Sequence, residues 1–246
     1  MNTLFLVTGS NGAIGSAYLE ELLRHNQMAV AIARGHHRRD WPCKQTFDLL
    51  NKEDCETCIH QLDLTGVSRV VLIHTVGKFH FELTPGEMSE EIWQSNLTTF
   101  VNIADPLLAR ASTEGIQVKL VAFGSPSDPY HVPFWRAFTA AKDAVREHIK
   151  KAVFKNSDTQ GLFVNISSTR TANEEKLRPF ADTSTWLMPE EVVQGSIAEI
   201  RKSGGTEYQE IQVIRPDLNF NNYYADIDTI RKKWYREMFG REGETP

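Results

Sequence analysis

Val7-Thr8-Gly9-Ser10-Asn11-Gly12-Ala13-Ile14-Gly15 stands between the apolar run Thr3-Leu4-Phe5-Leu6 and the amphipathic stretch Ala17-Tyr18-Leu19-Glu20-Glu21-Leu22-Leu23. A strand, a glycine turn and a helix start in that order leave the first N–H groups of the helix facing outward, where they attract an anion. Glycine lets a ligand approach the backbone closely, which suits the pyrophosphate of a dinucleotide. Gly9, Ser10, Asn11, Gly12, Ile14 and Gly15 are therefore the candidate cofactor-binding residues of the turn.

The chain repeats this alternation. Strands are expected at Thr3 to Val7, Met28 to Ala33, Arg69 to His74, Val118 to Phe123, Gly161 to Ile166 and Glu210 to Ile214. Helical patterns run over Ile14 to His25, Lys52 to Leu62, Ser89 to Ala111, Phe134 to Phe154 and Pro189 to Arg201, with Asp105-Pro106 placed to kink or divide the third. Runs such as Val70-Val71-Leu72-Ile73 are continuously apolar, as expected of strands covered on both faces. The pattern predicts an α/β fold, a Rossmann-like doubly wound parallel sheet with helices on both faces. The length of 246 residues suits a single domain over 1–246. Residues 167–188 are weakly patterned and are expected to form a substrate lid, with Phe180 and Trp186 against the pocket. Residues 216–246 read as a C-terminal extension whose aromatic spacing, from Asn219 to Gly240, fits an amphipathic helix packed on the domain or on a partner subunit.

Composition narrows the function classes. A net charge of −5 offers no general attraction to phosphate backbones or anionic lipid, so neither nucleic acid nor membrane is an expected partner. The start lacks a basic leader and no run is long enough to span a bilayer, which leads to the expectation of a cytoplasmic protein with reduced thiols. Cys43, Cys55, Cys58 and His60 lack a second ligand pair at zinc-finger spacing, and no metal site is expected; Cys55 to His60 is read as a surface helix.

The second strand ends Ala31-Ile32-Ala33-Arg34, followed by Gly35-His36-His37-Arg38-Arg39, where NAD-binding proteins commonly carry an acid for the adenosine ribose. The acid is missing. The guanidinium of Arg34 suits a 2′-phosphate, so NADP(H) is expected over NAD(H).

Further along lie Phe47-Asp48-Leu49, His74-Thr75-Val76-Gly77, Trp93-Gln94-Ser95-Asn96-Leu97, Ser125 after Val121-Ala122-Phe123-Gly124, and Phe138-Thr139-Ala140-Ala141-Lys142. In this order they resemble the short-chain dehydrogenase/reductase family over nearly the whole chain. The resemblance implies an oxidoreductase that passes a hydride between nicotinamide and a small carbonyl or alcohol. It implies that Asp48 and Leu49 contact adenine, and that Gly77 and Thr171 lie along the cofactor. Lys142 would hold the nicotinamide ribose, Ser125 would polarise the carbonyl, and Asn96 would support a water relay. A homo-dimer or homo-tetramer is implied in the same way.

One position departs from the family. Its active-site tyrosine falls thirteen residues after Ser125 and four before Lys142, where this chain has Phe138. A phenyl ring cannot exchange a proton, and loss of a positioned general acid lowers rate by about 10²- to 10⁴-fold. Tyr130 and His131, in the loop after Ser125, are the candidate replacements. Two alternatives stay open: a catalytically inactive dinucleotide-binding regulatory or partner subunit, and a non-redox enzyme on the same fold.

Overall fold

A computed structural model describes residues 2–82, 89–204, 207–215 and 223–240. Seven parallel strands, β1 (Thr3–Thr8), β2 (Met28–Ala33), β3 (Lys44–Thr46), β4 (Arg69–His74), β5 (Gln117–Gly124), β6 (Thr159–Ile166) and β7 (Tyr208–Val213), pair in the order β3-β2-β1-β4-β5-β6-β7. Chain order reverses between β1 and β4. The crevice beyond their carboxyl ends is where open α/β sheets bind ligands.

Side-chain alternation decides which helix covers which face. Phe5 and Val7 point toward α1 (Ala13–Arg24) and α7 (Pro189–Arg201), whereas Leu4 and Leu6 join the layer formed with α2 (Lys52–Gln61), α4 (Thr99–Glu114) and α5 (Arg136–Lys155). The expected α/β architecture is thus observed, with differences that have local causes. β3 has only three residues, none of them buried, and gives no apolar run to read. The third helical stretch begins as α3 (Glu90–Trp93), widens into a π turn over Gln94–Thr98 and continues as α4 straight through Pro106. Pro106 does not divide the helix, because Phe100, Ile103, Ala104, Leu107 and Ala111 anchor one stripe to the core across it. The break in regularity comes earlier: the Asn96 carboxamide donates to the Ile92 carbonyl at 2.8 Å, an acceptor the regular ladder gives to a backbone amide. Within 167–188 lies α6 (Ala172–Leu177), six residues with no buried face and hence no periodicity to find. Cys55 and Cys58 lie on the inner face of α2, whose Lys52, Glu53, Thr57 and His60 are exposed, and Cys43 is exposed.

A third apolar layer sits over the carboxyl ends of the strands. Ile230 and Trp234 of α8 (Ile227–Phe239) pack on Phe81, Phe134 and Trp135, so the amphipathic tail helix is docked on its own domain. The remainder of the expected extension, 216–222 and 241–246, lies outside the described residues. No helix among the described residues is long and apolar enough to cross a membrane.

His74 locks the crevice from below. The Thr99 hydroxyl donates to Ser95 O at 2.8 Å and so accepts from His74 Nε2 at 3.3 Å, which leaves Nδ1 to accept from the Thr8 hydroxyl at 3.0 Å. Burial, with a smaller push from the Lys142 charge, holds this imidazole down to about 3, against roughly 6.5 in an unfolded chain. Between those values the unfolded chain binds a proton that the folded one does not, so folding stability falls with falling pH, by up to about 1.4 kcal/mol per unit. Urea unfolding between pH 7 and 4 is expected to show this slope and to lose it in His74→Gln; an equal slope in both proteins would contradict the assignment.

Candidate active site

The glycine turn closes on itself and on the neighbouring strand. Gly9 adopts φ +72°, a conformation that L side chains rarely take, and a Cβ there would lie 2.6 Å from Thr75 Oγ1. A Cβ on Gly15 would lie 2.8 Å from both the Gly9 carbonyl carbon and Thr75 Oγ1. Thr75 donates to Thr8 O at 2.7 Å, which fixes that wall. Gly12 is the N-cap of α1, provides no side-chain cap, and no acid occupies the first turn. The leading amides of α1 are therefore uncapped by side chains at the mouth of the crevice. Ser10 and Asn11 hold the basic loop instead: Ser10 Oγ meets His37 Nδ1 at 3.3 Å, while the Asn11 carboxamide donates to His36 O at 2.8 Å and accepts from Arg38 N at 2.9 Å. Arg34 and Arg38 are exposed beside this loop and form no ion pair among the described residues, unlike Arg39, which pairs with Glu20. Asp48 turns its carboxylate back on Leu50 N at 3.0 Å, and Leu49 is buried in the core layer.

From Ile14 a cleft of about 470 Å³ runs past Gly77, Ser125, Lys142 and Thr171 to an aromatic wall. Ser125 follows β5. Its amide donates to Asp128 Oδ2 at 3.0 Å, and its hydroxyl oxygen lies 2.7 Å from Ser127 Oγ and accepts from Ser127 N at 3.1 Å. Asp128 in turn takes Arg146 Nη2 at 2.7 Å, and the same nitrogen reaches Asn165 Oδ1 at 2.8 Å. This buried pair bolts the Ser125 loop to α5 and β6. Lys142 is buried on α5 with its Nζ 5.2 Å from the centre of the Phe138 ring, and it donates to no other side chain among the described residues. Burial, only partly opposed by Asp128, brings its pKa down to about 8. Asn96, in the π turn, donates to Lys78 O and Ile92 O, both at 2.8 Å, while its buried Oδ1 has no partner among the described residues. That oxygen lies 2.6 Å from where a Gly77 Cβ would be, so Gly77 brings it and Lys142 to one place. Thr171 caps α6 through Glu174 N at 3.2 Å.

Not every expected residue reaches the cleft. His131 is exposed and takes φ +46° to end a short 3₁₀ turn. Tyr130 packs its ring 5.3 Å from Tyr224, and neither Tyr130 nor His131 lines the cleft, because the turn Asp128–Tyr130 carries them past it. Trp186 does line it, whereas Phe180 is exposed. Sequence reading missed Phe79, Arg178, Tyr223, Tyr224 and Trp234, all of which line the cleft. Arg178 is the most heavily held of these: it lies 4.5 Å from the Trp186 ring centre and 4.1 Å from that of Trp234, and it pairs with Glu237 at 3.1 Å and with Glu174. Nothing in local spacing joins residues 178, 186 and 234.

The NAD dependent epimerase/dehydratase family matches residues 5–131. The chain belongs to that family. It is of the short-chain dehydrogenase/reductase type, and the matched segment spans the glycine turn, Gly77, Asn96 and Ser125. No curated protein sequence matches the chain. Among solved structures, a 4-hydroxyisoleucine dehydrogenase complexed with NADH is similar at TM-score 0.71 and 19% identity, over 87% of this chain and 98% of that one. A variant of actinorhodin polyketide ketoreductase with NADPH gives 0.71 and 18%, over 87% and 96%. Ligand-free aldohexose dehydrogenase from Thermoplasma acidophilum gives 0.70 and 15%, over 89% and 96%.

Gly15→Ala separates helix propensity from turn packing in this family member. Propensity alone predicts a gain of about 1 kcal/mol. The close approach of Gly9 and Thr75 costs about 1–3 kcal/mol, so urea unfolding is expected to show a net loss of up to about 2 kcal/mol.

Proposed function

We propose that the chain is an NADP(H)-dependent oxidoreductase that interconverts a small carbonyl compound and its alcohol, with NAD(H) the weaker cofactor. The observation that carries this reading is the convergence of Ser125, Lys142 and Gly77 on one cleft that opens at Ile14, beside the glycine turn. The residues present fit a dinucleotide: the α1 amides are uncapped by side chains, Gly9 and Gly15 leave the backbone bare, and the buried Asn96 Oδ1 has an unused lone pair at the inner end. NADH and NADPH in the similar structures support a nicotinamide cofactor without choosing between them. The absence of an acid after β2, with Arg34 and Arg38 exposed there, supports the 2′-phosphate.

When bound, the nicotinamide supplies or accepts the hydride. Lys142 holds the ribose hydroxyls through its ammonium, charged below about pH 8. Ser125, kept in place by Asp128, donates to the substrate oxygen as charge builds on it. Asn96 Oδ1 accepts from a water that links Lys142 to solvent. Asp48 and Leu49 flank the adenine end, and Thr171 lies along the cofactor where α6 begins. Assembly as a homo-dimer or homo-tetramer belongs to the same proposal.

Phe138 favours one rival, a dinucleotide-binding partner subunit without turnover. Calorimetric titration is expected to give tighter binding of NADPH than NADH, and Arg34→Ala to weaken NADPH about tenfold or more while sparing NADH. Equal affinities unchanged by Arg34→Ala would contradict the cofactor assignment. Binding without carbonyl reduction across a broad panel would favour the partner-subunit reading.

A further inference from the structure

Phe138 leaves Ser125 without the phenol that its position on α5 would supply. Its ring is instead part of the wall, edge-on to Phe79 at 5.1 Å, with Lys142 Nζ 5.2 Å from its centre. A different phenol reaches the cleft. Tyr224, just before α8, lines it together with Ser125 and Lys142. Its ring is wedged between Tyr130, with centroids 5.3 Å apart, and Tyr223 at 4.9 Å. The Ser125 side chain lies close enough to pull the Tyr224 pKa down. Ser127 can direct both its amide and its hydroxyl at Ser125 Oγ, which leaves the Ser125 proton free to point into the cleft.

We propose that Tyr224 is the general acid of this site, a phenol brought to Ser125 by the segment before α8 in place of the one missing from α5. The proposal rests on the oxidoreductase reading above. In the step, the carbonyl carbon gains the hydride as the nicotinamide is oxidised. The π pair of the C=O bond moves to oxygen, and oxygen takes the Tyr224 proton to form the alcohol. The phenolate left behind recovers a proton from water. Burial chiefly, and Tyr223 in addition, push the Tyr224 pKa up, while Ser125 pulls it down. The phenol is therefore protonated across the neutral range. That is the form a proton donor needs.

The test compares the parent and Tyr224→Phe, using aryl aldehydes and ketones because the wall is aromatic. Single-turnover reduction is expected to fall by about 10²- to 10⁴-fold while NADPH affinity, read by calorimetry, changes less than about threefold. Adding Phe138→Tyr to Tyr224→Phe is expected to recover part of the rate. A readout apart from turnover is the ¹³Cζ resonance that disappears in Tyr224→Phe: Ser125→Ala is expected to shift it in the cofactor-free protein. If Tyr224→Phe does not fold, Tyr224→His keeps a donor and is expected to show reduction that declines as pH rises through about 6–7. An active parent matched within threefold by Tyr224→Phe, a pH profile unmoved by Tyr224→His, or a resonance unmoved by Ser125→Ala overturns Tyr224 alone. A parent that binds NADPH and reduces nothing overturns the oxidoreductase reading with it.

Discussion

The close approach of Gly9, Gly15 and Thr75 is the constraint on which the site depends. β1 must turn back within a few residues for α1 to start over the crevice between β1 and β4. The space left by the Thr75 side chain admits no Cβ at either glycine without displacement. Because Thr75 is itself tied to Thr8 O, the turn, β1 and the end of β4 form one unit. The α1 amides, the Arg34 loop pinned by Asn11, and Gly77 two residues beyond Thr75 all take their positions from it. His74 extends the same unit toward α4 through Thr99.

The inner half of the cleft is fixed differently, by a buried ion pair. Asp128 accepts from the Ser125 amide on one side and from Arg146 on the other, and Arg146 continues to Asn165 and Glu210. Removing one member of such a pair strands a buried charge, at about 3–5 kcal/mol. Ser125 is thus held by α5 and β6 as well as by its own strand. Lys142, one turn before Arg146 on α5, takes its place against the cleft from the same anchored helix. The outer wall is an aromatic layer completed by α8, and Arg178 links it to α6 through Trp186, Trp234, Glu174 and Glu237. Tyr224 enters the site as part of that layer.

Legibility in the sequence followed the range of the interactions. Strands β1, β2 and β4 were readable because burial on both faces writes a continuous apolar run, and the glycine turn because its geometry excludes side chains. Ser125, Asn96 and Lys142 were found through spacing and resemblance. The structure places Ser125 and Lys142 on the cleft and Asn96 behind Gly77. What escaped had no local signature. β3 has no buried residue, α6 has no buried face, and the π turn arises from one carboxamide competing for the Ile92 carbonyl. Tyr130 and His131 are near Ser125 in sequence yet turned away from the cleft, whereas Tyr224, about a hundred residues later, is turned into it. Proximity along the chain was a poor guide where a tight 3₁₀ turn intervenes and the tail folds back.

The crevice is proposed to hold a phosphorylated nicotinamide dinucleotide with its reactive end at Ser125. A crystal structure grown with saturating NADPH tests it most directly. The pyrophosphate is expected on the amides of Ala13 to Gly15, the 2′-phosphate beside Arg34, the inner ribose on Lys142 and the nicotinamide facing Ser125 and Tyr224. A crevice that stays empty at saturating NADPH, or a dinucleotide bound away from the glycine turn, would contradict it.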